Sequence, residues 1–522
     1  MSNGFEKRFR ALRNCDSSVL SGGLKGIEKE SLRVDANGYL AKTGHPAALG
    51  SALTNTFITT DFSEALLEFI TPAFPSTWEA QQFLCDVHQF AYACLGDELL
   101  WTASMPCRIP ADAEVPLARY GKSNVGQMKT IYRRGLGYRY GRHMQTIAGV
   151  HFNYSVAKKF WPVYREAVGS EQTEDEFRSA QYLGLVRNFR RFGWLVLYLF
   201  GASPAMCKSF AGDGTVEMPA LNAETLYEPY GTSLRMSDLG YSNQNQSRLN
   251  ISLNSLDDYV RDLSAAIETR EPEYEAIGVK VDGKYRQLNA NVLQIENEYY
   301  SSVRPKRVAM SGERPTAALI RGGIEYVEIR SLDISFDDPA GINQNTMRFV
   351  EAFLIYCLIE DSPPICNETL DETKLNQTLT AKHGRDPQFQ LQRDGELVSL
   401  HAWADEILEK VLAIAEAIDA EDGGSSYADA TRLMQSLNAN PDETPSARVL
   451  DELRTANCSF FELALATAQR HRDYFAAITP LSDARLAQFE QEAKESVLRQ
   501  QDIEASDSIS LDEYLARYFR SD

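Results

Sequence analysis

The sequence predicts an α+β protein, in which short strands with polar faces are combined with helices and a mostly helical C-terminal part. Polar and apolar residues alternate with a period of two at residues 26–34 and 149–155, as they do in half-buried strands. Capping-box patterns at residues 76–79 and 173–176 predict helices that run to about residues 95 and 200. Beyond about residue 340 apolar residues recur at helical spacing.

Composition excludes several classes of protein. Of the 522 residues, 43% are hydrophobic and 24% are charged, as in a globular protein. A net charge of −20 disfavours a general nucleic-acid or anionic-membrane surface, so an anionic substrate would need clustered arginines or metal ions. We expect no signal peptide, because the N-terminus is charged, and no membrane span, because the apolar run at 194–201 is too short. The eight cysteines form no C-x-x-C pair, which predicts reduced thiols in a cytoplasmic protein rather than disulfides or a zinc site.

The strand at residues 26–34 carries two carboxylates, Glu28 and Glu30, on one face. Two side chains so placed are about 7 Å apart, and two carboxylates at that distance repel each other unless a positive group lies between them. Mg²⁺ prefers oxygen ligands and would suit this face. The alternative is a solvated strand face, which is the more common arrangement for an isolated pair. Acidic residues recur later in the chain, at Asp61 and Glu68, and this recurrence favours the metal hypothesis.

Two later strands present further candidates. His151 and Asn153 share the polar face of one, which favours a site over a core histidine. Glu328 and Arg330 share a face of the other, within residues 323–330. This carboxylate and guanidinium could bind a metal–phosphate or an amino-acid carboxylate, or they could simply pair with each other on the surface.

Three other segments give weaker signals. Residues 129–142 form the most basic stretch of the chain, but their glycine spacing matches neither G-x-G-x-x-G nor G-x-x-x-x-G-K-[ST]. Residues 291–297 are predicted to form a strand. The basic run at 304–307 could contact phosphate or form a solvated loop.

The polar strand faces together predict a metal centre. Five carboxylates and one histidine on separate strands would suit two or three hard cations inside a bowl-shaped sheet. Such a site suits phosphoryl transfer, in which positioning and charge neutralisation supply most of the catalysis. The expected ligands are Glu28, Glu30, Asp61, Glu68, His151 and Glu328.

Several segments closely resemble those of bacterial, proteobacterial-type glutamate–cysteine ligases. They include GIEKESLRV, ITTDFSEALLEFITP, KTIYRRGL, MQTIAGVHFNYS, GTSLRMSDLGY and RGGIEYVEIRSLD, and the resemblance extends over about residues 20–340. It implies a curved, mostly antiparallel sheet backed by helices, as in the catalytic domains of glutamine synthetase and guanidino kinases. It also implies ATP-dependent phosphorylation of the γ-carboxylate of L-glutamate and attack of the L-cysteine amine on the acyl phosphate. The products would be γ-glutamylcysteine, ADP and phosphate, in the first step of glutathione synthesis.

The resemblance implies roles for individual residues. The six ligands above would bind two or three Mg²⁺ ions, for which Mn²⁺ could substitute. Arg235 and Arg330 would be catalytic residues that clamp glutamate and its transferred phosphate. Arg133 would contact the phosphates of ATP. The remaining substrate-binding residues, most of them in a small pocket for cysteine, would be Tyr132, Leu136, Gln145, Asn153, Tyr241 and Tyr300.

We expect a catalytic region over residues 1–385 and a helical C-terminal part over 386–522 that packs on it and has a structural role. The expected partners are ATP, L-glutamate and L-cysteine, with glutathione as a feedback inhibitor, and neither nucleic acid nor membrane. The chain is expected to be a cytoplasmic monomer. Two alternatives remain: a carboxylate–amine ligase with another amine acceptor, and a non-catalytic cation-binding protein. A non-catalytic protein would lack a carboxylate or an arginine of the candidate site, and none of these residues is missing here.

Overall fold

A computed structural model describes residues 3–14, 18–211, 216–239, 249–310 and 312–520. In these residues, helices surround a seven-stranded sheet in which every pair of neighbouring strands is antiparallel. The predicted α+β class with an antiparallel sheet is therefore confirmed.

The strands that the structure describes are β1 (Leu24–Val34), β2 (Ile58–Thr60), β3 (Leu66–Ile70), β4 (Leu99–Leu100), β5 (Val150–Ser155), β6 (Ala205–Cys207), β7 (Thr225–Tyr227), β8 (Lys280–Val281), β9 (Lys284–Tyr285), β10 (Val303–Lys306), β11 (Tyr326–Leu332), β12 (Gln390–Arg393) and β13 (Glu396–Ser399). The large sheet has the order β10-β11-β5-β1-β3-β2, with β4 paired to the end of β1. The other strands form three two-stranded hairpins.

The α-helices in the same residues are α1 (Asn3–Arg13), α2 (Thr77–Cys94), α3 (Asn124–Tyr140), α4 (Phe160–Ala167), α5 (Glu174–Phe192), α6 (Trp194–Phe200), α7 (Lys208–Ala211), α8 (Leu256–Glu268), α9 (Pro272–Ile277), α10 (Pro315–Gly322), α11 (Gln344–Ile359), α12 (Asn367–His383), α13 (Leu400–Asp422), α14 (Ser426–Ala439), α15 (Pro445–Thr455), α16 (Phe460–Ala477), α17 (Asp483–Ser506) and α18 (Leu511–Tyr518). None of them is both long enough and apolar enough to serve as a membrane span.

The hydrophobic core is centred on α11, which packs against α5, α13 and α14 and is buried along almost its whole length. A buried ion pair ties this helix to the sheet: Lys25 Nζ of β1 lies 2.8 Å from Glu351 Oε2, and both side chains are 1% exposed. Tyr427 donates a hydrogen bond to the same oxygen at 2.7 Å. Lys25 Nζ also donates to the Pro75 carbonyl at 2.7 Å, so the buried cation is held from two directions.

Most of the predicted elements are present. The strands at 26–34, 149–155 and 323–330 correspond to β1, β5 and β11. The capping box at 173–176 is complete and begins α5. At the other predicted capping box, Ser76 caps α2 without forming the box. Its hydroxyl accepts a hydrogen bond from the Trp78 backbone N–H, two positions later, rather than from the residue three positions later.

One segment differs from the prediction. Residues 291–297 are not a strand; they form loop that leads into a short 3₁₀ turn at Glu296–Glu298. Tertiary packing overrides the local strand preference there. The basic stretch at 129–142, which matches no phosphate-binding motif, forms most of α3.

The expectation of reduced thiols is wrong for one pair of cysteines. Cys107 and Cys207 form a disulfide with Cα atoms 5.4 Å apart, which joins the loop before α3 to β6. The two residues are 100 positions apart, and sequence spacing at that range says nothing about proximity. Among the other described cysteines Cys85, Cys94, Cys357, Cys366 and Cys458 are free thiols. The division at residue 385 stays a prediction; the hydrophobic core itself includes residues on both sides of it.

Three basic side chains meet beneath β1, on the face opposite Glu28. Lys29 Nζ lies 3.0 Å from Nε2 of His88, whose Nδ1 contacts the Leu84 carbonyl at 2.7 Å. Burial lowers the pKa of Lys29 from 10.5 to about 7. Burial, reinforced by the charge of Lys29, lowers the pKa of His471 from 6.5 to about 4.

We predict that His471 makes the stability of the fold fall as the pH drops from about 6.5 to about 4. In this interval the unfolded chain binds a proton that the folded state excludes, so the free energy of unfolding falls by on the order of 3 kcal/mol. Urea denaturation of the wild type and of His471→Asn at pH 7, 6 and 5 measures this loss. The difference in free energy between the two proteins should shrink with falling pH; a constant difference would contradict the assignment.

Candidate active site

A cavity of about 590 Å³ lies between the open face of the sheet and helix α3. Strands β1, β3, β5, β10 and β11 all contribute side chains to it, as do α3 and the segment at 296–300. All six predicted metal ligands line the cavity, namely Glu28, Glu30, Asp61, Glu68, His151 and Glu328.

Strand register places the acidic residues against each other. Glu28 is directly opposite His151, and Glu30 is directly opposite Glu68. Like charges at opposed positions of an antiparallel pair destabilise the sheet. His151 Nδ1 lies 3.1 Å from Glu28 Oε2 and 3.6 Å from Glu328 Oε1, so the imidazole is at the centre of the group.

One subset of these residues has the spacing of a metal site. Ligand atoms of Glu28, Glu68 and His151 all lie within 4.8 Å of one another. Burial raises the pKa of Glu68 well above its ordinary value, and the charges of Glu28, Asp61 and Glu30 raise it further. A divalent cation would relieve this repulsion, and the oxygen-rich donor set fits Mg²⁺. The imidazole is the less usual ligand for that ion.

Basic side chains directly adjoin the acidic cluster. Arg330 Nη1 donates a hydrogen bond of 2.8 Å to Glu328 Oε1, and Lys306 Nζ lies 3.5 Å from Glu328 Oε2. Burial alone would raise the pKa of Glu328, but Lys306, Arg330 and His151 together lower it well below its ordinary value. Glu328 and Arg330 thus pair with each other inside the site, not on the surface. Arg330 Nε, which is buried, has no hydrogen-bond partner within the described part of the chain.

The two other predicted arginines are also in the cavity. Arg235 is on a 3₁₀ turn, Leu234–Met236, and its side chain is only 5% exposed. Arg133 projects from α3, donates to the Asp61 carbonyl and stacks over the Tyr120 ring with its guanidinium carbon 4.6 Å from the centroid.

Helix α3 forms the wall opposite the sheet. Tyr132 and Leu136 reach the cavity from it, one turn apart. Gly135 lies between them on the outer side, where an added Cβ would be 2.1 Å from Gln294 Oε1. The glycine therefore allows the 294 segment to approach the helix, and it does not form a phosphate loop. Gln145 and Tyr300 complete this wall.

Among the described residues, one predicted substrate-binding residue, Asn153, is not part of the cavity lining. Asn153 instead donates a 2.9 Å hydrogen bond to Glu28 Oε1, which orients that carboxylate. Tyr241 lies outside the described residues.

Sequence reasoning missed part of the lining. A buried cluster adjoins the cavity, in which Arg139 and Tyr140 both hydrogen-bond to Glu298 Oε1, at 3.0 and 2.6 Å. No local pattern connects residues that are about 160 positions apart, although Arg139 belongs to the basic stretch. Arg304 and Lys306 come from the run whose role was left open, and β10 brings both to the site. The other lining residues not predicted are Phe62, Met144, Glu273 and Asn297.

Comparison with known proteins identifies the family of the chain. The family model described as glutamate-cysteine ligase matches residues 10–380. A glutamate–cysteine ligase of Alcanivorax borkumensis is 49% identical over 520 residues, which are 98% of this chain and 99% of that protein. One of Pseudomonas fluorescens is 45% identical over 501 residues, 96% and 94% of the two chains. The similarity thus includes the C-terminal helices, beyond the motifs that end near residue 340.

Solved structures give the same result. The crystal structure of a glutamate–cysteine ligase from Francisella tularensis in complex with AMP superposes with a TM-score of 0.90 at 36% identity, covering 96% of this chain and 98% of that one. A bifunctional glutathione synthetase from Pasteurella multocida shares the fold, with a TM-score of 0.73 at 22% identity over 94% of this chain and 57% of its own. The chain therefore belongs to the glutamate–cysteine ligase family and is an enzyme of that kind.

Proposed function

We propose that the cavity is the active site in which this chain joins L-glutamate to L-cysteine with hydrolysis of ATP to ADP and phosphate. The product is γ-glutamylcysteine, and the reaction is the first step of glutathione biosynthesis. The observation that carries the proposal is that a crowded carboxylate–imidazole cluster and several arginines line the same cavity, where Arg330 contacts Glu328 directly. Phosphoryl transfer from a metal-bound nucleotide to a carboxylate requires both kinds of group.

The acidic cluster holds the metal. Glu28, Glu68 and His151 supply one compact set of ligand atoms, and Glu30, Asp61 and Glu328 extend it. Two or three Mg²⁺ ions, or Mn²⁺ in their place, would neutralise the phosphates of ATP and the acyl phosphate. The AMP complex of the Francisella tularensis relative supports nucleotide binding at this fold.

The arginines orient glutamate. Arg330 and Arg235 hold the carboxylate and the phosphoryl group that it receives, because a planar guanidinium can bind two oxygens at once. A γ-carboxylate oxygen attacks the terminal phosphorus of ATP, and ADP leaves. Arg133 contacts the phosphates of the nucleotide from α3, next to Asp61.

The cysteine amine then attacks the acyl carbon of the γ-glutamyl phosphate, phosphate leaves and the nitrogen loses a proton. Helix α3 and its neighbours hold the amine acceptor. Tyr132, Leu136, Gln145 and Tyr300 form a small wall close to the metal cluster, which suits a short side chain such as a thiol. Asn153 acts on the substrate only through Glu28.

The wider expectations follow the same reasoning. Glutathione carries the same γ-glutamyl group as the product, so we expect it to compete for the glutamate part of the cavity. Monomeric state, a cytoplasmic compartment and the lack of nucleic-acid or membrane partners stay predictions.

The reaction is tested by measuring ADP release from Mg-ATP and L-glutamate with L-cysteine, L-serine, L-alanine or glycine as acceptor, with products identified by mass. We expect strong stimulation by L-cysteine and the mass of γ-glutamylcysteine. A preference for another amine would keep the carboxylate–amine ligase chemistry but overturn the assigned acceptor. No ADP release with any acceptor would contradict the proposal.

We predict that Glu28→Gln lowers turnover by at least about 100-fold and raises the Mg²⁺ concentration needed for half-maximal rate, because the amide is a weaker ligand for a hard cation. The fold should persist, since Asn153 and His151 can still hydrogen-bond to the amide. Glu416→Gln, which removes an exposed carboxylate paired with Arg432, is the matched control and should leave both values unchanged. Calorimetric titration with Mn²⁺ checks metal binding apart from activity. Unchanged Mg²⁺ dependence in Glu28→Gln would exclude Glu28 as a ligand.

We predict that Arg330→Lys lowers kcat/KM for glutamate by about 10- to 100-fold, as expected when a charge-assisted, bidentate contact is reduced to a point charge. KM for ATP should change much less. Arg321→Lys is the control, because the exposed Arg321 of α10 pairs with Glu313 and is absent from the cavity lining. If Arg330→Lys kept the wild-type values for glutamate, its role in the clamp would be wrong.

A further inference from the structure

Arg235 is a buried cation whose hydrogen bonds within the protein are few. Its Nη2 donates to the Arg330 carbonyl at 2.8 Å, and its Nη1 contacts Met236 Sδ at 3.3 Å. A guanidinium has five N–H donors, so three of them have no partner in the described part of the chain. A buried charge of this kind needs an opposite charge nearby.

Asp333 is the nearest carboxylate that can supply it. It follows β11 directly, its side chain is fully buried at 0% exposure, and its Oδ1 lies 3.9 Å from Arg235 Nη1. That distance gives electrostatic attraction without a hydrogen bond. Asp333 is also absent from the cavity lining, whereas Arg235 is part of it.

Neutral donors hold Asp333 in place. The Ala202 backbone N–H and the Ser203 hydroxyl donate to Oδ2 at 2.9 and 2.6 Å. The Ser233 hydroxyl donates to Oδ1 at 2.9 Å. The carboxylate is thus anchored by groups that carry no charge, and its charge is left for Arg235.

Gly149 restricts the position of the Arg235 guanidinium from another direction. A Cβ built on this residue would be 2.1 Å from Arg235 Nη2, so the guanidinium lies directly against the glycine backbone. The N–H of the same glycine donates to Glu30 Oε2 at 2.6 Å. The backbone that orients a metal-site carboxylate therefore also confines Arg235.

We propose that Asp333 is a positioning residue, which fixes the orientation of Arg235 and balances its charge while leaving its N–H donors for the anionic substrate. A direct carboxylate–guanidinium hydrogen bond would occupy those donors. The inference rests on the proposed role of Arg235 in holding glutamate.

The variant Asp333→Asn removes the negative charge of the side chain and keeps its size and shape, so it tests whether the charge is needed. The amide oxygen can still accept from Ala202 and Ser203, and the Ser233 hydroxyl can turn to accept from the amide nitrogen. We expect kcat/KM for glutamate to fall about tenfold or more, with KM for ATP and the thermal midpoint little changed. A purely structural role would lower the midpoint and leave the glutamate constants alone.

A double-mutant cycle with Arg235→Lys makes the test specific. If Asp333 acts through Arg235, the double variant should lose little more than Arg235→Lys alone. If the fold losses in kcat/KM of the two single variants instead multiply in the double variant, the inference is overturned.

Glu351→Gln is the matched control. Glu351 is an equally buried carboxylate that pairs with a cation and accepts a hydrogen bond from a hydroxyl, and it is outside the cavity lining. The Glu351→Gln variant should be less stable than the wild type but have an unchanged KM for glutamate.

The outcomes separate the two proposals. An impaired Arg235→Lys together with an unchanged Asp333→Asn overturns only the role of Asp333. Wild-type constants for glutamate in both single variants overturn the role of Arg235 itself. If Asp333→Asn does not fold, Ser203→Ala, which removes one anchor of the carboxylate, decides: a smaller loss in kcat/KM for glutamate supports the inference, and no change overturns it.

Discussion

Repulsion among carboxylates on one face of the sheet is the constraint on which the rest of the site depends. Glu30 and Glu68 are opposed in register, and Glu28 is on the same face of β1. Bringing these charges together on one face costs free energy, which the rest of the fold must offset. The buried core around α11 and the antiparallel ladder of the central strands provide that offset. A cation bound at the proposed metal site would relieve the repulsion that folding imposes.

The same arrangement explains how a chain of net charge −20 can accept anionic substrates. Lys306 and Arg330 flank Glu328 and lower its pKa, and Arg133, Arg235 and Arg304 also line the cavity, so basic groups lie among the carboxylates. Within a Debye length of about 8 Å, nearby charges outweigh the distant field of the whole protein. In the proposed reaction these cations, together with metal ions held by the carboxylates, would hold a phosphate and a carboxylate close enough to react.

Strand periodicity made the acidic cluster predictable from sequence. Once residues 26–34 and 149–155 are strands, the facing direction of Glu28 and His151 follows, and the structure brings them into register. What sequence could not supply were contacts between distant segments. The Cys107–Cys207 disulfide and the cluster of Arg139 with Glu298 each join residues 100 or more positions apart, and no local pattern carries that information. Likewise Gly135 is explained by the close approach of Gln294, which only the folded chain reveals.

The elements differ in how firmly they can hold a catalytic group. Glu28 and His151 project from paired strands, whose backbone hydrogen bonds fix their direction. Arg330 lies where the register of β11 against β5 shifts, and its backbone N–H donates to the Ser302 carbonyl at 2.9 Å. Arg235 comes instead from a short 3₁₀ turn, and a loop-borne arginine would ordinarily sample many rotamers. Its confinement between Gly149 and the charge of Asp333 compensates for this difference. The turn can thereby hold its guanidinium in one orientation, which is what the proposed clamp, formed by arginines of two different elements, would require.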